Sequence, residues 1–325
     1  MTDLYVGIDI GGTKCAACLG DENGNLLRSV RFRTQRGTRG WRTTVDQLRK
    51  VAARLVLDQG EAKIRGIGIS CGSPMDAERG LIQEPANLPG WRDVPIVDML
   101  RDEFSTDTVW LENDANAGAL AEFTFGAGKH RGSQNLVFLT FGTGLGAGLI
   151  IDGRLYRGAN GYAGEIGHLR LGSYGPAGCG KAGSFEGFCS GGGIAQLANI
   201  ERRAWFDETI LPDDRVNASD VASGANEGDA LCRRILEISG DYLGRGLAVL
   251  LDIVNPDTIV IGSVFVHAES HLRPAMERSL RREARRETIA ACNILAATLG
   301  ENIGNYAALA IAYEAHGMLE RIRSE

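Results

Sequence analysis

The chain has 325 residues, 44% hydrophobic and 23% charged, with 35 Lys plus Arg against 41 Asp plus Glu for a formal net charge of -6. That is enough chain for one large or two medium domains, and mild acidity argues against a nucleic-acid-binding surface, which needs a basic face. Glycine is the outlier at 44 residues, about twice the usual share, but it shows no G-X-Y period and proline is scarce at 8, which excludes collagen and low-complexity disorder.

The opening Met1-Thr-Asp-Leu-Tyr-Val-Gly7 lacks a basic segment followed by an apolar one, so no secretory leader is expected. Leu4–Ile10 reads as a strand ended by Gly11 and Gly12, and Lys14–Leu19 as its hairpin partner. Leu26–Arg33 reads as a third strand after the turn at Asp21–Gly24. Val45, Leu48, Val51 and Leu55 give residues 41–58 helical spacing, and Ile64–Ser70 and Thr108–Leu111 read as short buried strands. The second of these leads into a helix over Ala115–Phe123. The pattern then restarts: a strand over Asn135–Phe141, a glycine turn at 142–148, a return strand over Leu149–Asp152 and a turn at Gly153. Helices are expected at 190–206, 228–254, 267–286 and 305–322, with strands at Thr258–Ile261 and Asn293–Ala297. Strands alternating with helices predict an α/β fold. The repeated strand–glycine turn–strand predicts two similar halves presenting two glycine turns to one ligand.

No apolar run approaches the roughly 18 residues of a membrane helix. The Arg-rich stretch Arg278–Arg286 is interleaved with Glu277, Glu283 and Glu287 and reads as a solvated helix face. The seven cysteines, at 15, 18, 71, 179, 189, 232 and 292, are odd in number and scattered, which fits a reducing compartment. Cys15 and Cys18 lie on a predicted strand, where they face opposite ways and read as inert thiols. A cytoplasmic protein is expected.

Four segments carry chemistry. In Asp9-Ile-Gly-Gly-Thr-Lys14, Gly11 and Gly12 let backbone N–H groups approach an anion, Thr13 adds a hydroxyl and Lys14 a charge. Asp9 stands where a carboxylate can hold Mg²⁺ through water. A tight hairpin that merely needs glycine explains the same residues. Thr140-Phe-Gly-Thr-Gly-Leu-Gly-Ala-Gly148 has too many glycines for a simple turn and suits a second phosphate cradle around Thr140, Gly142, Thr143 and Gly144. Asn113 and Asp114 sit at a strand-to-helix junction, where both types favour the N-cap. The helix N-terminus is expected to keep a carboxylate there ionised and weakly basic, which suffices for phosphoryl transfer. In Gly158–His168, Glu165 and His168 share a face if the segment is a helical turn. With Glu186, they form a kit suited to sugar hydroxyls, or else an exposed Glu and a core His.

With these segments in this order, the sequence resembles the ROK family, sugar kinases within the actin/hexokinase-like ATPase superfamily. The resemblance spans essentially the whole chain and also rests on Gly68-Ile-Ser-Cys-Gly-Ser-Pro74, Pro85-Ala-Asn-Leu-Pro-Gly-Trp91, Ala163-Gly-Glu-Ile-Gly-His168 and Leu299-Gly-Glu-Asn. It implies two actin-like, ribonuclease H-like α/β domains around a central cleft, a small one at 1–115 plus 304–325 and a large one at 116–303. It implies Asp114 as catalytic base towards a sugar hydroxyl, most readily O6. Asn113, Asp114, Glu165, His168 and Glu186 would bind the sugar, with Ser73 and Asn87 nearby. The loops at 9–14 and 140–146 would take the phosphates of ATP with Mg²⁺, and adenosine would lie near Gly262. There Ser263 replaces a glycine, which it can do if its φ stays negative. Glucose is the leading substrate. N-acetylmannosamine, N-acetylglucosamine and fructose are alternatives, and a homodimer or homotetramer is expected.

The family commonly carries a structural zinc held by three cysteines and the histidine. Here Ala177-Gly-Cys-Gly-Lys-Ala-Gly-Ser-Phe-Glu186 keeps only Cys179, with Ala177 and Ser184 at the other cysteine positions. His168 and Cys179 are two of the four ligands such a site needs, so no zinc is expected, and a backbone carbonyl is expected to fix the His168 ring instead. Some family members are repressors with a DNA-binding module ahead of the first glycine loop. Here that loop begins at residue 9, so a DNA-binding role is not expected, and a non-catalytic sugar sensor is the alternative of another class.

Overall fold

The computed structural model describes residues 2–35, 37, 40–60, 62–212 and 215–324. The chain divides into two compact units, Met1–His130 with Thr298–Glu325, and Arg131–Ala297.

The first unit is built on a five-stranded sheet. β1 (Thr2–Ile10), β2 (Lys14–Asp21) and β3 (Leu26–Arg33) form an antiparallel meander, α1 (Gly40–Leu57) crosses over, and β4 (Ala62–Cys71) pairs parallel to β1. After α2 (Ile96–Phe104), β5 (Val109–Asn113) pairs parallel to β4 and runs into α3 (Asp114–Thr124). The strand order is β3-β2-β1-β4-β5. Alternation sorts the side chains: Val6, Ile8, Ile10 and Cys15 join Val45 and Leu48 of α1, while Tyr5 and Cys18 join Leu309 and Tyr313 of the C-terminal helix Ile303–Ala315. Each fully buried Val, Ile or Leu contributes about 1.5–3 kcal/mol relative to exposure. Cys15 and Cys18 therefore do face opposite ways. Both are free, and burial pushes the Cys15 thiol up to about 11 and the Cys18 thiol higher still.

The second unit repeats the plan. β6 (Leu136–Leu139), β7 (Ala147–Ile151) and β8 (Arg154–Leu155) form the meander. They are followed by α4 (Phe185–Phe188), α5 (Gly191–Arg202), α6 (Ala218–Glu227) and α7 (Ala230–Val254). β9 (Thr258–Ile261) pairs parallel to β6. After α8 (Val264–Glu283), β10 (Asn293–Ala296) pairs parallel to β9. The order β8-β7-β6-β9-β10 is that of the first sheet, so each unit has the expected actin-like α/β architecture. The interior of the second unit is one cluster that joins the sheet to α4 through α8, with Phe141, Phe185 and Phe265 among its largest members.

Several expectations shift in detail. The division expected at residue 115 falls inside α3, which stays whole in the first unit because Ala117 and Ala121 pack on Ala307 and Ile311. Residues 298–303 go with it, since the Glu122 carboxylate accepts from the backbone N–H of Thr298 (3.0 Å) and Leu299 (3.2 Å). The helix expected over 305–322 is two, Ile303–Ala315 and Leu319–Ser324, parted where Gly317 turns left-handed (φ 65°) and Met318 N–H reaches back to the Tyr313 carbonyl. The Arg-rich face of α8 is solvated and ion-paired, Arg278 to Glu237 and Arg281 to Glu277. Among the described residues no helix is long and apolar enough to cross a membrane.

Candidate functional site

In the first unit the predicted residues gather beyond the carboxyl ends of β1, β4 and β5. Register aligns Asp9 with Ser70, Ser70 with Glu112, and Cys71 with Asn113. Open α/β sheets place ligands off that end of their strands. The turn between β1 and β2 is tied off by Gly11 N–H to the Lys14 carbonyl (3.1 Å) and by the Thr34 hydroxyl to the Gly11 carbonyl (2.6 Å), leaving Thr13 and Lys14 exposed. Gly12 lies against the backbone of Asn87, where any Cβ would collide with the Asn87 carbonyl oxygen. The glycine turn and the Asn87 loop are therefore fitted to each other.

Asn113 ends β5 as the N-cap of α3. Its Oδ1 accepts from the N–H of Ala115 (2.9 Å) and Asn116 (3.3 Å), and its Nδ2 donates to the Ser73 hydroxyl (2.9 Å). The cap is thus Asn113, and Asp114 becomes the first helical residue. A Cβ set on Gly72 would stand 3.7 Å from Asp114 Oδ2 and 3.6 Å from the Asn87 side-chain amide, so Asp114 and Asn87 border one small space. The helix N-terminus was expected to dominate the Asp114 carboxyl. Instead, desolvation by the surrounding protein raises its pKa, against the lowering effect of the N–H groups at Ala115 and Asp114. Asp9 is raised to about 6, first by burial and then by the negative charge of Asp114, with Arg31 acting weakly the other way. The negative charge of Asp114 makes Asp9 harder to ionise, and the two carboxylates are oxygen donors that a cation would stabilise. They fit Mg²⁺, which typically takes one or two carboxylates and completes its shell with water and phosphate.

In the second unit Thr140 closes the glycine turn. Its Oγ1 accepts from Gly146 N–H (3.0 Å), and its own N–H donates to the Gly146 carbonyl (3.0 Å). Beside this turn lies a pocket of about 760 Å³ lined by Gly142, Thr143, Gly191, Gly192, Asn217 and Ser263 among others. The Gly191–Gly193 run, which no motif explained, begins α5 against the glycine turn. Gly191 N–H donates to the Gly142 carbonyl (2.7 Å), and Gly193 sits so close to the Gly187 carbonyl that a Cβ has no room. Sequence reasoning missed the α6 side of the pocket. Its one legible signal was Asn217 and Asp220, which form a capping box and so announce a helix start rather than a pocket wall.

Ser263 overturns an expectation. Its φ is 49° and its ψ -111°, with Phe265 N–H bonded back to the Gly262 carbonyl (3.2 Å). This is the first central position of a type II′ turn, which favours glycine. The serine is held there by the β9–α8 connection at a cost of about 1 kcal/mol or more.

Glu165 caps the short 3₁₀ turn Ile166–His168, so Glu165 and His168 do share a face, with His168 Nε2 3.9 Å from Glu165 Oε2. Both are exposed. The expected carbonyl on the His168 ring is not found among the described residues. The residue is held through its backbone instead, with Lys181 Nζ donating to the His168 carbonyl (2.9 Å). Glu186, in the first turn of α4, accepts from Leu145 N–H (3.0 Å) on Oε2 and from Cys179 N–H (2.8 Å) and the Cys179 thiol (3.3 Å) on Oε1. It links the glycine turn to the segment after His168. A structural zinc does not fit these residues. Ala177 has no side-chain donor atom and the Ser184 hydroxyl is already committed to Gly187 N–H and the Gly178 carbonyl, which leaves His168 and Cys179 as two of the four ligands a structural zinc needs.

A sequence profile of the ROK family matches residues 5–315. The chain belongs to the ROK family. It is 32% identical over 310 residues to a protein named glucokinase from Halalkalibacterium halodurans, covering 92% of each chain. Its fold matches the crystal structure of a ROK hexokinase from Thermus thermophilus with a TM-score of 0.80 and 31% identity, covering 97% of this chain and 99% of that one. A ROK glucokinase from Streptomyces griseus, solved in complex with glucose and AMPPNP, gives a TM-score of 0.74 and 29% identity over 96% of this chain and 99% of that one. Proteins named xylose repressor are also among the ROK relatives.

Proposed function

We propose that this ROK protein is an ATP-dependent kinase that phosphorylates a hexose at O6, with glucose the leading substrate and the cytoplasm its place of action. The observation that carries the reading is Asp114, the carboxylate that opens α3, whose neighbour Asn113 has taken over the capping role and whose pKa is raised by desolvation from the surrounding protein. A raised carboxylate is a better base, and phosphoryl transfer asks mainly that the hydroxyl be oriented and its proton accepted late. Asp114 Oδ2 takes the O6 proton, and Ser73, Asn87 and Asn113 bind hydroxyls on the same side. Glu165, His168 and Glu186 are further candidate residues for sugar hydroxyls. The backbone N–H groups of Gly12 and Thr13 and the Lys14 ammonium are candidate donors to phosphate oxygens, as are the N–H groups of Thr143 and Gly144, and the pocket beside Gly142, Gly191 and Ser263 would take the nucleoside. Asp9, with Asp114 near, would hold Mg²⁺, which supplies charge neutralisation to the transferring phosphoryl group. Excluding water from the reacting hydroxyl suppresses ATP hydrolysis.

A coupled ADP-release assay over glucose, mannose, fructose, N-acetylmannosamine and N-acetylglucosamine, with 6-deoxyglucose as blank, tests the reading. Glucose should give the highest kcat/KM and 6-deoxyglucose none. If no hexose raises ADP release above the blank, the non-catalytic sugar sensor is the better account.

A further inference from the structure

The segment from Ala177 to Glu186 raises a question that the absent zinc ligands make sharp: what holds a glycine-rich loop of this kind in one conformation? Glycine is entropically expensive to order, and here Gly178, Gly180 and Gly183 stand within ten residues. Ordering needs fixed polar anchors, and three are present. The Gln196 side chain of α5 clamps the backbone of Ala177 from both sides, its Oε1 accepting from Ala177 N–H (2.9 Å) and its Nε2 donating to the Ala177 carbonyl (2.8 Å). Ser184 is buried as the N-cap of α4. It accepts from Gly187 N–H (3.0 Å) and donates to the Gly178 carbonyl (2.9 Å), which fixes the start of the very turn that carries Glu186. Cys179, left-handed at φ 50°, points both its N–H and its thiol at Glu186 Oε1. Lys181, on the returning strand of the two-residue ladder 177–178/181–182, reaches the His168 carbonyl.

We infer that a metal-free hydrogen-bonded frame of Gln196, Ser184 and Cys179 does the ordering work of a structural zinc in this chain, and that Gln196 and Ser184 are positioning residues for Glu186 and His168. The frame has the two properties the task requires. Each anchor is a two-point contact, which fixes orientation as well as distance. Together they tie the start of the loop to two helices, Ala177 to Gln196 of α5 and Gly178 to Ser184 at the far end of the loop, where α4 begins, so that Glu186 presents its Oε1 edge to Cys179 and its Oε2 edge to Leu145. The consequence for the sugar side rests on the kinase reading above, whereas the frame itself does not.

The test separates the two. Elemental analysis of protein purified without chelator should find far less than one zinc per chain, and the Tm should be unchanged by 1,10-phenanthroline. Hydrogen exchange should show Ala177, Cys179 and Gly187 amides protected in the wild type and opened at least tenfold in Gln196→Ala and Ser184→Ala, with Ser184→Thr restoring protection as an alternative cap. These readouts need no enzymatic activity. In the hexose assay the two alanine variants should raise the KM for sugar about three- to tenfold, with kcat and the KM for ATP within twofold. One tightly held zinc per chain, or protection that survives both alanine variants, overturns the frame. Amides that open while the hexose KM stays put overturn the positioning role alone.

Discussion

The two units share a strand order but meet their ligand-facing ends in opposite ways. In the first, desolvation raises both Asp9 and Asp114, and the charge of Asp114 raises Asp9 further, with Arg31 opposing. In the second, Glu186 has both oxygens satisfied by N–H groups and a thiol, and the surrounding glycines are fitted backbone to backbone. The first end is electrostatically costly and becomes comfortable only with a cation and a substrate. The second is a finished scaffold whose cost lies in ordering glycine. Substitutions in the one should trade stability against activity, and in the other should lose both.

The largest effect on stability is expected from Gly193→Ala, because its methyl would meet the Gly187 carbonyl with no flexible atom to give way. Overpacking there should cost about 3 kcal/mol, read as a clear fall in Tm. A Tm within a degree of the wild type would show that the second scaffold is not tightly fitted. Asp9→Asn should do the reverse for the ligand-free protein. Asp9 is raised from its ordinary 3.8 to about 6, so between those values the folded chain holds a proton that the unfolded chain has released. Stability contributed by this group therefore falls as pH rises through that window and is lowest above pH 6. Asparagine removes the penalty, so Asp9→Asn should gain about 2–3 kcal/mol at pH 7.5 and well under 1 kcal/mol at pH 4, while losing Mg²⁺-dependent activity. A destabilised Asp9→Asn protein at pH 7.5 would contradict the comparison. The smallest effect is Ser263→Gly, which relieves a left-handed residue and should raise stability by about 1 kcal/mol, measured as a rise in Tm of a few degrees. A fall in Tm would mean that the serine hydroxyl does more than the strain costs.

Much of this was legible in the chain and some was not, for physical reasons. The strands around Asp9, Asn113 and Thr140 could be read because alternation and glycine punctuation are local signals. The restart of the pattern near Asn135 foretold the common strand order. Helix α2 and helix α6 were not foreseen, since each is short and α6 has as buried residues only Val221, Gly224 and Ala225. The division of units followed the packing of Ala117 and Ala121 on the C-terminal helix, a contact between residues nearly two hundred positions apart. The balance at Asp114 was misjudged because burial is a property of everything packed nearby, whereas the helix N-terminus is visible in the local sequence. Ser263 misled for the reverse reason: serine rarely adopts positive φ on its own, and only the connection between β9 and α8 imposes it.

The central claim is that the Asp114 carboxylate accepts the proton of the sugar hydroxyl. Its most direct test is Asp114→Asn, assayed for glucose-dependent ADP release alongside calorimetric glucose binding. The account predicts a fall in kcat of about 10³-fold with glucose still bound within about tenfold of wild-type affinity and an unchanged fold. Release within tenfold of the wild type at saturating glucose would contradict it.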